Sequence, residues 1–134
     1  MNFWLVKSEP FKYSWGDLVK DKWTYWDGVR NYGARNFLKQ MSIGDLVLYY
    51  HSNEGLEVVG YAKVIKEHYQ DPTTDDDRWV AVDIEPVKEL SNTVTLKEIK
   101  SDPKLKDMRL IRQSRLSVMP VTKDEFDHIV LLGA

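Results

Sequence analysis

Cysteine is absent from the chain. Disulfides, thiolate catalysis and every cysteine-ligated zinc or iron–sulfur site are excluded together. The absence also suits a reducing compartment, and a cytoplasmic location is expected. Histidine is scarce: His51, His68 and His128 have no metal-ligand spacing, so neither a metal nor another cofactor is expected. Long apolar runs are missing too. Leu46-Val47-Leu48-Tyr49-Tyr50 and Ile129-Val130-Leu131-Leu132 fall far short of the ~20 residues that span a bilayer. Met1 leads straight into Phe3-Trp4-Leu5-Val6 without a basic n-region or a small-residue cleavage site, so neither a signal peptide nor a membrane partner is expected. Excess positive charge is also lacking, the formal net charge being −2. A protein living on non-specific phosphate contacts would usually be basic, so a nucleic-acid partner would require the positive charge to be local.

What the chain does have is a length suited to one hydrophobic core, so residues 1–134 are expected to form a single domain. Hydrophobic residues at 43% and charged residues at 30% argue against disorder. Aromatic residues are plentiful, with five Trp and seven Tyr. Trp4, Trp15, Trp23 and Trp26 crowd the first fifth of the chain and Trp79 stands apart. Each such ring can serve the core or line a binding surface.

Residues 2–7 read as a strand ending at Pro10. Ser14 suits the N-cap of a short helix running to about Lys20, with Asp17 in its first turn. Asn31 caps a second helix on which Ala34, Phe37, Leu38 and Met41 make one apolar face. Gly44-Asp45 turns into a strand at 46–50, and His51 to Gly55 is a hairpin-length connection. In the strand that follows, Val59, Tyr61, Lys63 and Ile65 share one face, and Val58, Gly60, Ala62 and Val64 the other. Asp71 to Asp77 reads as a solvated acidic loop. Val80, Val82 and Ile84 belong to a strand that Pro86 is expected to stop. Thr95 with Glu98 and Thr122 with Glu125 are capping boxes, and Val121 with Phe126 has hydrophobic-staple spacing. The last helix should turn Phe126, Ile129 and Val130 inward. Strands interrupted by helices without a βαβ rhythm predict an α+β fold, a small curled barrel with helices packed around it.

Four stretches carry more chemistry than folding requires. Lys7-Ser8-Glu9-Pro10 combines a cation, a hydroxyl and a carboxylate at a strand end, suited to a polar ring edge or simply to a solvated turn. Trp26-Asp27-Gly28-Val29-Arg30-Asn31 sets a Trp before a glycine turn and a helix start, where N–H groups favour acceptors. That Trp is either a stacking platform, worth ~1–3 kcal/mol per base, or a core residue. In Tyr49-Tyr50-His51-Ser52, alternation allows only one tyrosine to face the core, leaving the other for a cavity or solvent. Arg109 to Ser117 holds Arg109, Arg112 and Arg115 with no acid, a local positive patch next to Lys104 and Lys106.

Together these stretches resemble the EVE domain family, small PUA-like proteins related to the YTH readers of methylated adenine. The resemblance rests on Phe3-Trp4-Leu5-Val6-Lys7-Ser8-Glu9-Pro10, Trp26-Asp27-Gly28-Val29-Arg30-Asn31-Tyr32 with Ala34-Arg35-Asn36, and Gly44-Asp45 before Tyr49-Tyr50-His51-Ser52. It continues with Gly60 and with Arg112-Gln113-Ser114-Arg115-Leu116-Ser117-Val118-Met119-Pro120-Val121. Gly33, inside the second helix, is a small departure that lowers helix propensity. The resemblance implies a closed, strongly curved barrel flanked by short helices, and a pocket that accepts an extruded base. On that basis Trp26 is the stacking wall, and Lys7, Ser8 and Glu9 are edge readers. Tyr49, His51 and Ser52 form the opposite lip, and Gly28, Val29, Arg30 and Asn31 the floor. Trp15 is a further cage residue, and Arg109, Arg112 and Arg115 contact the backbone.

The implied function is non-enzymatic binding of a modified base, a modified cytosine in DNA, by a monomer working beside a separately encoded nuclease or modifying enzyme. An RNA-binding module is one alternative. A small hydrolase or base-modifying enzyme using His51 with Ser8, Ser52 or Glu9 is another. Against that enzyme, the chain has no nucleophile elbow, metal motif or glycine-rich phosphate loop. A pocket for some other small molecule or protein is the third.

Overall fold

The computed structural model covers residues 1–134. Its strands are β1 (Phe3–Ser8), β2 (Thr24–Trp26), β3 (Leu46–His51), β4 (Glu57–Gln70), β5 (Val80–Thr95) and β6 (Val118–Val121). Its helices are α1 (Trp15–Asp21), α2 (Tyr32–Gln40), α3 (Leu96–Ser101), α4 (Arg109–Arg112) and α5 (Lys123–Leu132). The strands form one six-stranded sheet in the order β2-β5-β4-β3-β1-β6. The α+β expectation holds, but the closed barrel does not. β2 and β6 are the two edges of the sheet, and no ladder joins them.

The helix boundaries follow their caps. Ser14, Thr95 and Thr122 each accept a hydrogen bond from the N3 backbone of α1, α3 and α5, with the reciprocal carboxylate contact in place. Such a cap contributes about 1 kcal/mol. Asn31 caps α2 by accepting from Ala34 N at 3.0 Å. Gly33 stands next to that cap, where a Cβ would lie 3.2 Å from Asn31 Oδ1 and 3.4 Å from a Leu116 methyl. The low helix propensity is therefore tolerated for the sake of close packing.

Both faces of the sheet are covered. Trp4, Val6, Trp15, Leu18, Leu38, Tyr49, Val64 and Ile84 belong to the cluster under α1 and α2. Leu5, Leu48, Tyr50, Ile99, Leu110, Phe126 and Ile129 belong to the cluster under α3, α4 and α5. Tyr49 and Tyr50 consequently point to opposite faces and are both buried, which alternation over a single core does not anticipate. Phe126 and Ile129 turn inward as expected, with Val121 in the same cluster.

Two strand expectations fail at bulges. β5 runs straight through Pro86 to Thr95, because Pro86 pairs with Ala62 where the register shifts, a position that spares the missing N–H. In β4 a shift between Val58 and Gly60 swaps the faces. Val59 joins Ala62 and Val64, while Val58 joins the cluster beneath Tyr61. No helix is long and apolar enough to cross a membrane.

Candidate functional site

A cavity of about 900 Å³ opens where the sheet fails to close. Both sheet edges reach it: Thr24, Tyr25 and Trp26 from β2, and Ser114 to Ser117 leading into β6. The end of β1 supplies Lys7 and Ser8, followed by Glu9, Lys12 and Tyr13. The turn after β2 supplies Asp27, Gly28, Val29, Arg30 and Asn31, and Ser52 completes the rim. Of the residues expected from sequence, Lys7, Ser8, Glu9, Trp26, Gly28, Val29, Arg30, Asn31, Ser52 and Arg115 come together here. Trp15, Tyr49, His51, Arg109 and Arg112 do not line the cavity. Lys12, Tyr13, Thr24 and Tyr25 line it from outside the stretches singled out, and Asp27, Ser114, Leu116 and Ser117 from within them without having been given a role. The Thr24-Tyr25 pair directly before Trp26 was the available signal.

The wall is aromatic but mostly sunk. Trp26 is only 9% exposed and meets the Tyr49 ring edge-on at 5.5 Å. Tyr49 in turn meets Trp15 edge-on at 5.5 Å, so a row of three rings runs from the cavity into the core. Tyr49 Oη and Ser8 Oγ both donate to the Tyr13 carbonyl, at 2.9 and 2.6 Å, which fixes the loop after β1 against β3. Burial pushes the Tyr49 phenol well above its usual range. His51 lies beside Tyr49, and its Nε2 accepts from Trp15 N at 3.1 Å. Burial pushes the His51 pKa down, outweighing the Glu57 charge. His51 is thus a neutral acceptor holding the start of α1, and its Nε2 and the Ser8 hydroxyl are engaged elsewhere than with each other.

The floor is built on one carboxylate that sequence reasoning missed. Gly28 adopts φ +75°, a conformation costly for other residues. Its N–H donates to Asp71 Oδ2 at 2.8 Å, and Arg30 Nη1 donates to the same oxygen at 2.9 Å. Thr73 N and Oγ1 donate to Asp71 Oδ1 at 2.7 and 2.6 Å. Asp71 is fully buried, 0% exposed, in a loop whose composition predicted solvation. Burial alone would raise its carboxyl, but the bonds from Thr73, Arg30 and Gly28 outweigh that and hold it at about 2. Asp27 has the opposite environment. Burial pushes its carboxyl up, and the nearby Asp71 charge adds to the rise.

The opposite lip is basic. Lys7 Nζ donates to the Ser114 carbonyl at 2.7 Å, and burial lowers its pKa. Glu9 is shared by Lys12 at 3.3 Å and Asn53 Nδ2 at 3.2 Å. The run from Arg109 splits three ways. Arg109 lies over the Phe37 ring at 5.2 Å, Arg112 pairs with Asp107 at 3.3 Å, and only Arg115 lines the cavity. The side chains of a short helix and its exit diverge too far to form one patch.

Known proteins resemble this chain along nearly all of its length. Thymocyte nuclear protein 1 of Mus musculus is 38% identical over 165 residues, which cover 98% of this chain and 73% of that protein. Its name associates that protein with the nucleus, so the cytoplasmic expectation finds no support in this relative. A solved structure from Agrobacterium tumefaciens has a TM-score of 0.97 at 45% identity, covering 100% of this chain and 94% of its own. The human THYN1 protein, solved in complex with 5-methylcytosine-containing DNA, has a TM-score of 0.92 at 35% identity, covering 99% and 98%. The family model of the EVE domain matches residues 2–132. The chain belongs to the EVE domain family.

Proposed function

We propose that this protein is a non-catalytic DNA-binding module that takes one modified cytosine, flipped from the duplex, into the cavity between its sheet edges. The observation that carries the reading is the cavity itself: about 900 Å³, walled by Trp26 and floored by Gly28 to Asn31. The human relative solved with 5-methylcytosine-containing DNA supports the choice of ligand. Among the lining residues only Tyr13, Tyr25, Trp26, Val29 and Leu116 are apolar, so the base meets a limited aromatic surface and many polar groups. Polar edges decide which base enters, while the wall contributes affinity indifferent to sequence. One methyl group is worth ~1–3 kcal/mol in such a pocket, so preference for the modified base should be about 10- to 200-fold. The engagement of His51 and Ser8 in structural hydrogen bonds supports the reading without catalysis.

The test is polarisation titration of labelled oligonucleotides carrying cytosine, 5-methylcytosine, 5-hydroxymethylcytosine or N6-methyladenine, as DNA and as RNA. Trp26→Ala is a poor probe, since truncating a buried Trp costs about 3–5 kcal/mol. Ser114→Trp fills the cavity from an exposed position and should abolish binding while the melting temperature holds. Equal affinity for every strand, or full binding by Ser114→Trp, would sink the proposal.

A further inference from the structure

Arg30 stands at the mouth of the cavity on a purpose-built support. Its Nη1 donates to Asp71 Oδ2 at 2.9 Å and to the Val29 carbonyl at 3.2 Å. Nη2 reaches Thr73 Oγ1 at 3.4 Å. The guanidinium lies 5.6 Å from the Trp79 ring centre, and Trp79 is itself backed by Tyr32 at 5.1 Å. Asp71, Thr73 and Trp79 all come from the loop between β4 and β5. Their combined effect is to remove the rotamer freedom of Arg30 while leaving its Nε and part of Nη2 unengaged. The side chain remains 41% exposed. A long cation held this way in the lining of a cavity, with donors to spare, is arranged for a bidentate acceptor.

The neighbouring arginines are not arranged this way. Arg78 spends Nε and Nη2 on Asp76 and Nη1 on Tyr32. Arg35 spends its donors on Asn36 and the Arg78 carbonyl. Across the cavity, Arg112 is paired with Asp107, whereas Arg115 lines the cavity without an acidic partner. Arg30 and Arg115 are therefore the two arginines that line the cavity, one on each lip. Asp75 and Asp77 are exposed in the same β4–β5 loop that holds Arg30, which disfavours a phosphate track running past it.

We infer that Arg30 and Arg115 clamp the two phosphates flanking a single extruded nucleotide, with Asp71 and Trp79 as positioning residues for Arg30. The inference rests on the base-reading proposal and moves Arg30 from the pocket floor to the backbone. It also accounts for how a chain of net charge −2 can grip nucleic acid: the cations that matter act at one point, on the two lips of the cavity.

The experiment measures affinity for duplex DNA bearing one 5-methylcytosine across a salt series, for the wild type, Arg30→Ala, Arg30→Lys and Arg115→Ala. Each alanine variant should bind about tenfold more weakly and lower the slope of log K against log salt by about 0.9. The ratio of modified to unmodified affinity should persist. Arg30→Lys should keep the slope and lose affinity. A neutral methylphosphonate on one side of the modified base should erase the cost of Arg30→Ala, and on the other side the cost of Arg115→Ala. Asp71→Asn should weaken binding by less in the Arg30→Ala background than in the wild type, a coupling that support of Gly28 alone would not produce. Unchanged slopes, or costs indifferent to every methylphosphonate, overturn the clamp. A lost modified-base ratio at constant slope returns Arg30 to reading the base. A wild type with no modified-base ratio defeats the base-reading proposal instead, and the slopes still test the clamp.

Discussion

Replacing Asp71 by Asn should destabilise the protein at neutral pH and cost nothing at strong acid. The carboxylate is fully buried and accepts four hydrogen bonds, two of them from Gly28 N and the Arg30 guanidinium on the same oxygen. Asparagine has the same shape but presents an amide NH₂ where one oxygen accepted, so donors then face donors. A folded-state pKa of about 2 against an ordinary 3.8 corresponds to about 2 kcal/mol of stability at neutral pH. Arg30 is partly in water, and screening brings the working figure to about 1–2 kcal/mol. Because the folded pKa is depressed, this contribution is complete above the ordinary value and fades as pH falls through the folded one. The gap between wild type and Asp71→Asn, read from urea melts by Trp fluorescence, should be constant from about pH 7 to about pH 5. It should then shrink and vanish below about pH 2. Carboxylates common to both proteins cancel in the difference. The variant should also let the raised Asp27 pKa fall part of the way, burial being the larger cause of the rise. A gap that stays the same across the whole range would refute the claim that the charge of Asp71, and not its shape, holds the floor of the cavity.

Two further outcomes follow from the ring stack behind the wall. In Gly60→Ala the new methyl would sit 2.7 Å from Trp15 Cζ2 and 2.8 Å from the Lys88 carbonyl, so melting should show a loss of about 1–3 kcal/mol. Because Trp15, Tyr49 and Trp26 touch in sequence, its near-ultraviolet dichroism should change as well. His51 accepts from Trp15 N and burial lowers its pKa, so the unfolded chain takes up the proton first as pH falls. Stability should therefore drop as pH falls below about 6.5, and His51→Gln should remove that part of the pH profile when melts of the two proteins are compared.

Local signals were readable in the sequence, and long-range partners were not. Ser14, Asn31, Thr95 and Thr122 announced their helices because a cap acts within three residues. The cavity residues at the end of β1 were legible as strand-end chemistry, and those after β2 as a glycine turn before a helix start. Asp71 was not, since its partners Gly28 and Arg30 lie 43 and 41 residues away, and among acidic neighbours it looks like surface. Alternation misjudged Tyr49 and Tyr50 because helices cover both faces of the sheet, and it misjudged Val58 and Val59 because a bulge inverts the count. Pro86 was read as a stop for a similar reason: a bulge removes the demand for its N–H.

The open sheet and the cavity have one origin. A closed barrel would pair β2 with the strand opposite and consume the backbone groups of both edges. Here the two edges stay apart, and residues from each line the same space. Free edges ordinarily invite pairing with another chain. β2 limits that hazard by being three residues long, and the 114–117 segment does so through the exposed charge of Arg115. The gap must nevertheless keep its width, and the surrounding bonds do this from each side. Lys7 ties the β1 end to Ser114, Ser8 and Tyr49 tie the next loop to β3, and Asp71 ties the turn after β2 to the β4–β5 loop. Each lip is thus anchored to the fold by bonds of its own, Lys7 to Ser114 on one side and Asp71 to Gly28 and Arg30 on the other.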